Sequence, residues 1–189
     1  MDPRALILIA ASALILTPAM AELQLTPKTS AYELDGVKFK QLSFPSEKGK
    51  EVTYAPPAGW DYSGSATKLT LRPGKPQAEA TISKISVPKE AVFDEPGMKK
   101  LADEVVLWVP QGSTNVTLVS QEKNPLFINR RETFLVTISY SFFGANYKRS
   151  VLFLNREKEQ VRFDIVSLEK DYADLQKSFL GSQYSWQNL

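Results

Sequence analysis

Residues 130–143 read RRETFLVTISYSFF, a run in which, from Thr133 onward, large apolar side chains alternate mostly with threonine and serine. This alternation has the period of two that a β-strand requires, because successive side chains point to opposite faces of a sheet. Three further runs of this kind lie around it, at 115–123, 146–155 and 160–168, and they are separated by NPLFIN, GA and REKE. The short connections predict four consecutive antiparallel strands.

One face of these strands is predicted to be a core. We expect it to consist of Phe134, Val136, Ile138, Tyr140 and Phe142, continued by Val151 and Phe153 and then by Val161, Phe163 and Ile165. The opposite face carries threonine and serine but also Leu135, Leu152, Leu154 and Val166. A face that is only partly polar is expected to be partly covered by another element.

The first half of the chain is predicted to be mainly strands as well. Runs typical of strands occur at 36–44, 51–56, 68–73 and 78–88, with charged or Gly-Pro turns between them. From Met98 the period changes to that of a helix, with Leu101, Val105, Trp108 and Val109 on one face, and we expect Pro110 to end it. Trp108 is therefore predicted to be a core residue.

A second amphipathic helix is predicted near the carboxyl end. Tyr172, Leu175 and Phe179 recur at helical spacing, and Asp171 is placed to cap the amino end of that helix. We expect it to pack on the sheet.

The stretch APPAGWDYSG at 55–64 interrupts this pattern. Two prolines restrict the backbone and Gly59 supplies the freedom for a turn, which predicts a corner followed by a buried Trp60. The alternative is functional, since Trp60 and Tyr62 together would form a stacking platform for a sugar or a peptide. Burial of Trp60 is favoured because a buried indole contributes apolar burial without needing a partner.

Residues 1–21 have the pattern of a secretory signal peptide. Arg4 precedes an apolar run, and Ala19-Met20-Ala21 offers small residues at the positions that a signal peptidase reads. The run is shorter than the ~20 residues of a membrane-spanning helix. We therefore expect a single exported domain at 22–189, periplasmic or secreted, with no stable membrane anchor after cleavage.

The composition excludes several kinds of chemistry. The chain has no His and no Cys, which removes Ser-His-Asp and Cys-His catalysis and the usual zinc ligands. The net charge of +2 and the lack of a basic cluster argue against nucleic-acid binding. We expect no cofactor and no enzymatic activity. A hydrolase built on two carboxylates is the alternative that remains open.

The order of these elements resembles the PsbP/Mog family. The features that carry the resemblance are the corner with Pro56, Pro57, Gly59 and Trp60, the middle helix, the strand meander and the terminal helix followed by Ser185 and Trp186. The resemblance implies an α+β fold, an α/β/α sandwich with a central antiparallel sheet. Its members, among them extrinsic subunits of photosystem II, are mostly non-catalytic binding or assembly proteins. They share no set of functional residues that can be transferred.

The expected function is therefore binding of a macromolecular partner, a protein, in an accessory or assembly role. Candidate partner-binding residues are Trp60, Tyr62 and the pair Arg130-Arg131, which is suited to gripping a carboxylate. The alternative is a carrier of a small apolar ligand, held between sheet and helix by Phe134, Tyr140, Phe142 and Phe153.

Overall fold

The computed structural model describes residues 23–46, 50–90 and 92–188, and the predicted signal peptide at 1–21 lies outside them. In chain order the elements are β1 (Lys28–Leu34), β2 (Val37–Pro45), β3 (Glu51–Tyr54), β4 (Trp60–Gly64), β5 (Lys68–Pro73), β6 (Ala78–Ser86), α1 (Glu95–Val106), β7 (Thr114–Lys123), β8 (Thr133–Phe142), β9 (Ala145–Asn155), β10 (Glu159–Leu168), α2 (Glu169–Gln183) and β11 (Gln187–Asn188).

Seven strands form one antiparallel sheet, in the order β4-β5-β6-β10-β9-β8-β7. The four strands predicted from 115 to 168 are consecutive in the chain, and β7, β8, β9 and β10 lie side by side in the sheet. The predicted α+β fold with a large antiparallel sheet is therefore confirmed.

The large sheet is covered on both faces. Helix α1 packs on one face, where Leu101 and Val105 meet Phe134, Val136 and other apolar side chains of β8 and β9. On the other face lie α2 and a second, four-stranded sheet in the order β1-β2-β3-β11. Apolar burial on both faces supplies the main stabilising free energy of such a layered domain.

The prediction that the apolar residues of β10 share a face with Phe134 and Phe153 is wrong. Phe134 lies opposite Phe153, and Phe153 lies opposite Arg162. Because paired residues share a face, Arg162 lies on the face of Phe134 and Phe153, and the odd-numbered apolar residues of β10 lie on the opposite face. There they pack with Leu135 and Leu152 against α2 and the small sheet. The register of the β9–β10 turn sets this choice, and a shift of one residue would reverse it. These odd-numbered residues are Val161, Phe163 and Ile165.

Both helices begin earlier than the sequence suggests. Asp94 caps α1, and its Oδ1 accepts a hydrogen bond from the Gly97 N–H at 2.8 Å. The helix ends at Val106, so Trp108 follows it and is only half-buried. Helix α2 begins at Glu169 without a side-chain cap, so Asp171 lies in its first turn instead, where its charge favours the helix dipole.

The corner at 55–64 is confirmed. The Trp60 N–H donates to the Pro57 carbonyl at 3.2 Å, and Gly59 between them has a φ of 75°, a left-handed conformation that glycine adopts without steric cost. Trp60 then enters the core, 9% exposed, and stacks on Phe179 with ring centroids 6.2 Å apart.

The Ser185-Trp186 pair joins the two sheets at the end of the chain. The Ser185 hydroxyl accepts a hydrogen bond from the Ala55 N–H at 2.8 Å. Trp186 is buried, and its ring lies 5.7 Å from that of Phe44 in the small sheet and 5.3 Å from that of Phe163 in the large one. The pair therefore serves packing.

Candidate partner-binding site

A groove of about 450 Å³ opens at the end of the large sheet where β8 begins and β9 ends. Its volume lies in the ~300–1,000 Å³ range of ligand and anchor-residue sites. Its wall comes from the connection between β6 and α1 and from the residues that precede β8. The lining residues are Lys89, Glu90, Val92, Phe93, Arg131, Glu132 and Asn155.

The apolar part of the groove rests on packed aromatic rings. Phe93 is almost fully buried, and its ring centroid lies 5.9 Å from that of Phe134, which lies 6.4 Å from that of Phe153. Val92 beside it is 65% exposed. The groove therefore combines a firmly packed apolar floor with an apolar side chain still open to solvent.

Arg131 forms the polar wall of the groove. Its Nη1 donates to Glu90 Oε1 at 2.9 Å and to the Asn155 carbonyl at 3.4 Å. Both side chains of the ion pair are more than a third exposed, and such surface pairs contribute only about 0–1 kcal/mol. A carboxylate on a partner can therefore compete for Arg131 at little cost.

Residues 124–133 form a loop that is fixed at both ends. Asn124 and Thr133 are bonded to each other twice, because the Asn124 N–H donates to the Thr133 carbonyl at 2.8 Å and Asn124 Oδ1 accepts from the Thr133 N–H at 3.0 Å. Leu126 and Ile128 insert into the core, whereas Phe127 between them is 57% exposed. The loop therefore holds Phe127 outward on a rigid support.

Arg130 lies at the tip of this loop in an unusual backbone conformation. Ile128 and Arg131 exchange two backbone hydrogen bonds, which leaves Asn129 and Arg130 as the central residues of a two-residue turn. Their φ values are 51° and 62°, as in a type I′ turn, where Asn-Gly is the preferred pair. Arg130 is exposed and makes no hydrogen bond or ion pair with the described residues.

The four residues singled out from the sequence do not come together. Arg131 lines the groove and Arg130 precedes it at the tip of the adjoining loop, whereas Trp60 and Tyr62 lie in β4 at the far edge of the sheet. The Tyr62 hydroxyl is 2.7 Å from Thr29 Oγ1. Their role in partner binding stays a prediction.

Buried and half-buried charges lie in two separate groups, one around Glu159 on the face of α2 and the small sheet and one around Asp164 on the face of α1. Lys84 Nζ is 3.2 Å and Arg156 Nη1 is 3.6 Å from the carboxylate of Glu159, whose side chain is 5% exposed. Arg149 pairs with Asp164. Burial lowers the pKa of Arg149, but the hydrogen bond and charge of Asp164 together with Tyr140 outweigh burial and raise that pKa. The charged residues among the apolar ones of β10 were the sequence signal for both groups.

The half-buried aromatic Trp108 belongs to the group on the α1 face, with Arg149 and Asp164. Its ring lies 5.4 Å from the Arg149 guanidinium and 4.8 Å from that of Arg162, which also pairs with Glu104 at 3.0 Å. Burial raises the pKa of the neighbouring Tyr140. Each of these carboxylates faces a cation, an arrangement that holds layers together.

The space between the sheet and α2 is nearly filled. A void of about 10 Å³ remains there, lined by Phe163, Phe179 and Gln183 among others, and Gln183 Oε1 has no hydrogen-bond partner in the described part of the chain. That volume suits one water molecule. Among the described residues, no group of three or more acidic side chains is placed to hold a metal ion. Neither α1 nor α2 is long and apolar enough to cross a membrane.

No protein-family model matches the sequence, and no curated protein matches it. Among solved structures, the chain is similar to PA94 of Pseudomonas aeruginosa, a protein of unknown function, with 13% identity, a TM-score of 0.50 and coverage of 84% of this chain and 96% of PA94. It is also similar to the cyanobacterial PsbP of Synechocystis sp. PCC 6803, with 13% identity, a TM-score of 0.48 and coverage of 92% and 96%. The similarity to PA94 shows a shared fold alone. The TM-score for the cyanobacterial PsbP is too low to support a conclusion about this chain.

Proposed function

We propose that this protein is an exported, non-catalytic accessory protein, the single domain 22–189, that binds a protein partner at the groove next to Arg131. The observation that carries the proposal is the conformation of Arg130. A left-handed backbone costs about 1 kcal/mol for a side chain of this kind, and glycine in its place would avoid that cost. Because Arg130 makes no hydrogen bond or ion pair with the described residues, its strained, exposed guanidinium is available to a partner.

The surroundings of Arg130 fit a protein segment that carries an acidic and an apolar side chain. Arg130 and Arg131 supply guanidinium groups for a carboxylate, and the Arg131–Glu90 pair is exposed enough to exchange partners. Phe127 and Val92 supply exposed apolar contacts, and their exposure is otherwise unfavourable. PA94, which shares the fold, is described as a protein of unknown function and a candidate regulator.

Arg130→Gly separates binding from stability. The variant turn reads Asn-Gly, so we expect the melting temperature to be unchanged or higher. The purified parent and variant are immobilised and exposed to extract from the producing cells, and bound proteins are quantified by mass spectrometry. We expect the enrichment of one protein to fall at least about tenfold in the variant, as a charge-assisted contact worth ~1.5–3 kcal/mol predicts.

Lys177→Ala is the matched control, because it removes the same charge from an exposed position of α2. It should leave the enrichment unchanged. If Arg130→Gly and Lys177→Ala retain the same proteins as the parent, the groove is not the binding site.

A further inference from the structure

Besides Arg130, a second residue with an unfavourable backbone conformation lies in the turn between β8 and β9. Phe142 pairs with Ala145, so Phe143 and Gly144 are the two turn residues, with φ values of 48° and 75°. A left-handed backbone is a genuine outlier for a bulky residue such as Phe143, and asparagine, aspartate or glycine is favoured there. Phe143 is also 93% exposed. Its only ring contact in the described residues is Phe142, 4.3 Å away.

A second uncharged segment lies beside this turn. Strand β7 begins at Thr114, opposite Ser141, and the Trp108 carbonyl accepts a hydrogen bond from Arg149 of β9 at 2.6 Å. The first contact places Thr114 beside the turn, and the second joins Trp108 to β9 further from the turn, at the level of Ile138. Leu107 is 79% exposed. Neither 107–118 nor 141–147 contains a charged residue, and these two segments form what we name the uncharged end.

Hydrogen bonds hold the base of the turn in place. Asn115 Nδ2 donates to Ser141 Oγ at 3.3 Å, and Ser141 Oγ donates to Asn146 Oδ1 at 2.9 Å. Phe143 therefore projects from an ordered hairpin. A rigid aromatic side chain loses little conformational entropy on binding, which is typical of the residues that dominate protein interfaces.

We propose that the uncharged end is a second docking surface, at which Phe143 inserts into an apolar pocket of a protein partner with an uncharged rim. Within the domain, neither the strain nor the exposure of Phe143 is compensated. A partner pocket compensates the exposure by burying the ring. An uncharged rim fits the two segments, because neither of them offers a charge for a partner to pair with. The charges beside Asn146 are the Lys148–Glu169 pair and Lys170.

The charge pattern favours a protein over a lipid bilayer. A single myristoyl chain gives only marginal membrane binding, and stable attachment needs a second signal such as a basic patch. Phe143 and Leu107 together offer less apolar surface than such a chain, and Lys148, which directly follows the uncharged end, is paired with Glu169 at 3.1 Å.

This surface is distinct from the groove next to Arg131. The groove lies where β8 begins, and Phe143 follows the residue where β8 ends. At ~3.4 Å per residue the ten residues of β8 separate the two by about 30 Å. The domain is therefore able to contact two protein surfaces at once, and each proposal can fail without the other.

Phe143→Asn tests the proposal because it creates the preferred Asn-Gly turn. We expect its melting temperature to equal that of the parent or to exceed it by about 2–4 °C. A photoreactive benzoylphenylalanine in place of the exposed Gln111 then reports what contacts the uncharged end in the producing cells. We expect a crosslinked adduct with another protein that Phe143→Asn reduces at least about tenfold and Arg130→Gly leaves unchanged.

Several results would overturn the proposal. A melting temperature clearly lowered by Phe143→Asn would mean that the ring stabilises the domain itself. Adducts that do not depend on Phe143, or that contain a second copy of this chain, would exclude the proposed partner. Co-sedimentation of the purified protein with phosphatidylethanolamine–phosphatidylglycerol vesicles, lost in Phe143→Asn, would assign the surface to a membrane instead.

Discussion

Replacing Trp60 with alanine tests the packing of the corner at 55–64. The indole is 9% exposed and lies parallel to the ring of Phe179, with an interplanar angle of 8°. Phe179 belongs to α2, so this contact joins the edge of the large sheet to the helix that covers it. The substitution removes the stacked ring and leaves a cavity between the two elements.

The expected loss of stability is large. Truncation of a buried tryptophan to alanine costs about 3–5 kcal/mol, because the lost apolar burial and the cavity both contribute. For a domain of this size each kcal/mol shifts the melting temperature by about 2–4 °C, so we expect a decrease of about 6–20 °C.

Thermal unfolding followed by circular dichroism measures this decrease. Tyr62→Ala in the same strand is the control: Tyr62 is half-buried, its hydroxyl contacts the exposed Thr29, and we expect a smaller loss. Trp60→Phe should recover part of the stability by restoring an aromatic contact. A midpoint within about 2 °C of the parent for Trp60→Ala would refute the packing argument and return attention to Trp60 as a binding residue.

Three further predictions concern other parts of the chain. Glu159→Gln removes the carboxylate that Lys84 and Arg156 share in the interior, and we expect it to cost about 3–5 kcal/mol in urea denaturation, whereas the exposed Glu157→Gln should cost almost nothing. Burial raises the pKa of Tyr54 above its usual value of ~10. The stabilising effect of the neutral Tyr54 is therefore complete below pH ~10 and is lost as the pH rises towards the folded-state pKa. Tyr54→Phe should weaken this alkaline loss of stability in melts at different pH. Export is tested by the intact mass of the protein from the producing cells, which should correspond to cleavage after Ala21.

Much of the fold could be predicted from periodicity. Strands β5 to β10 were placed to within a few residues because their apolar residues recur every second position, and the cover over Leu135 and Leu152 followed from the apolar residues on both faces. The face of β10 could not be predicted, because alternation fixes which residues share a face within one strand but not across a turn.

Other elements lacked a local signal. Strand β1 lies before 36–44, the first strand that the sequence predicts. Strand β4 begins at the end of the corner, where the prolines and the glycine obscure its short alternation. β11 has only two residues, and its pairing with β3 depends on the position of α2. Such elements are defined by their partners, so a single sequence predicts them poorly.

The role of the two residues that carry the binding proposals could not be predicted from the sequence, for a different reason. The sequence predicted a turn at Gly144 and Ala145, but the turn is formed by Phe143 and Gly144, one residue earlier. Arg130 was singled out only as a cation beside Arg131. Nothing in the sequence indicates that Arg130 or Phe143 has a left-handed backbone, since residues of these types rarely do. A turn sequence chosen for stability would place glycine or asparagine at both positions, and the two substitutions that restore those residues therefore separate what the fold needs from what a partner needs.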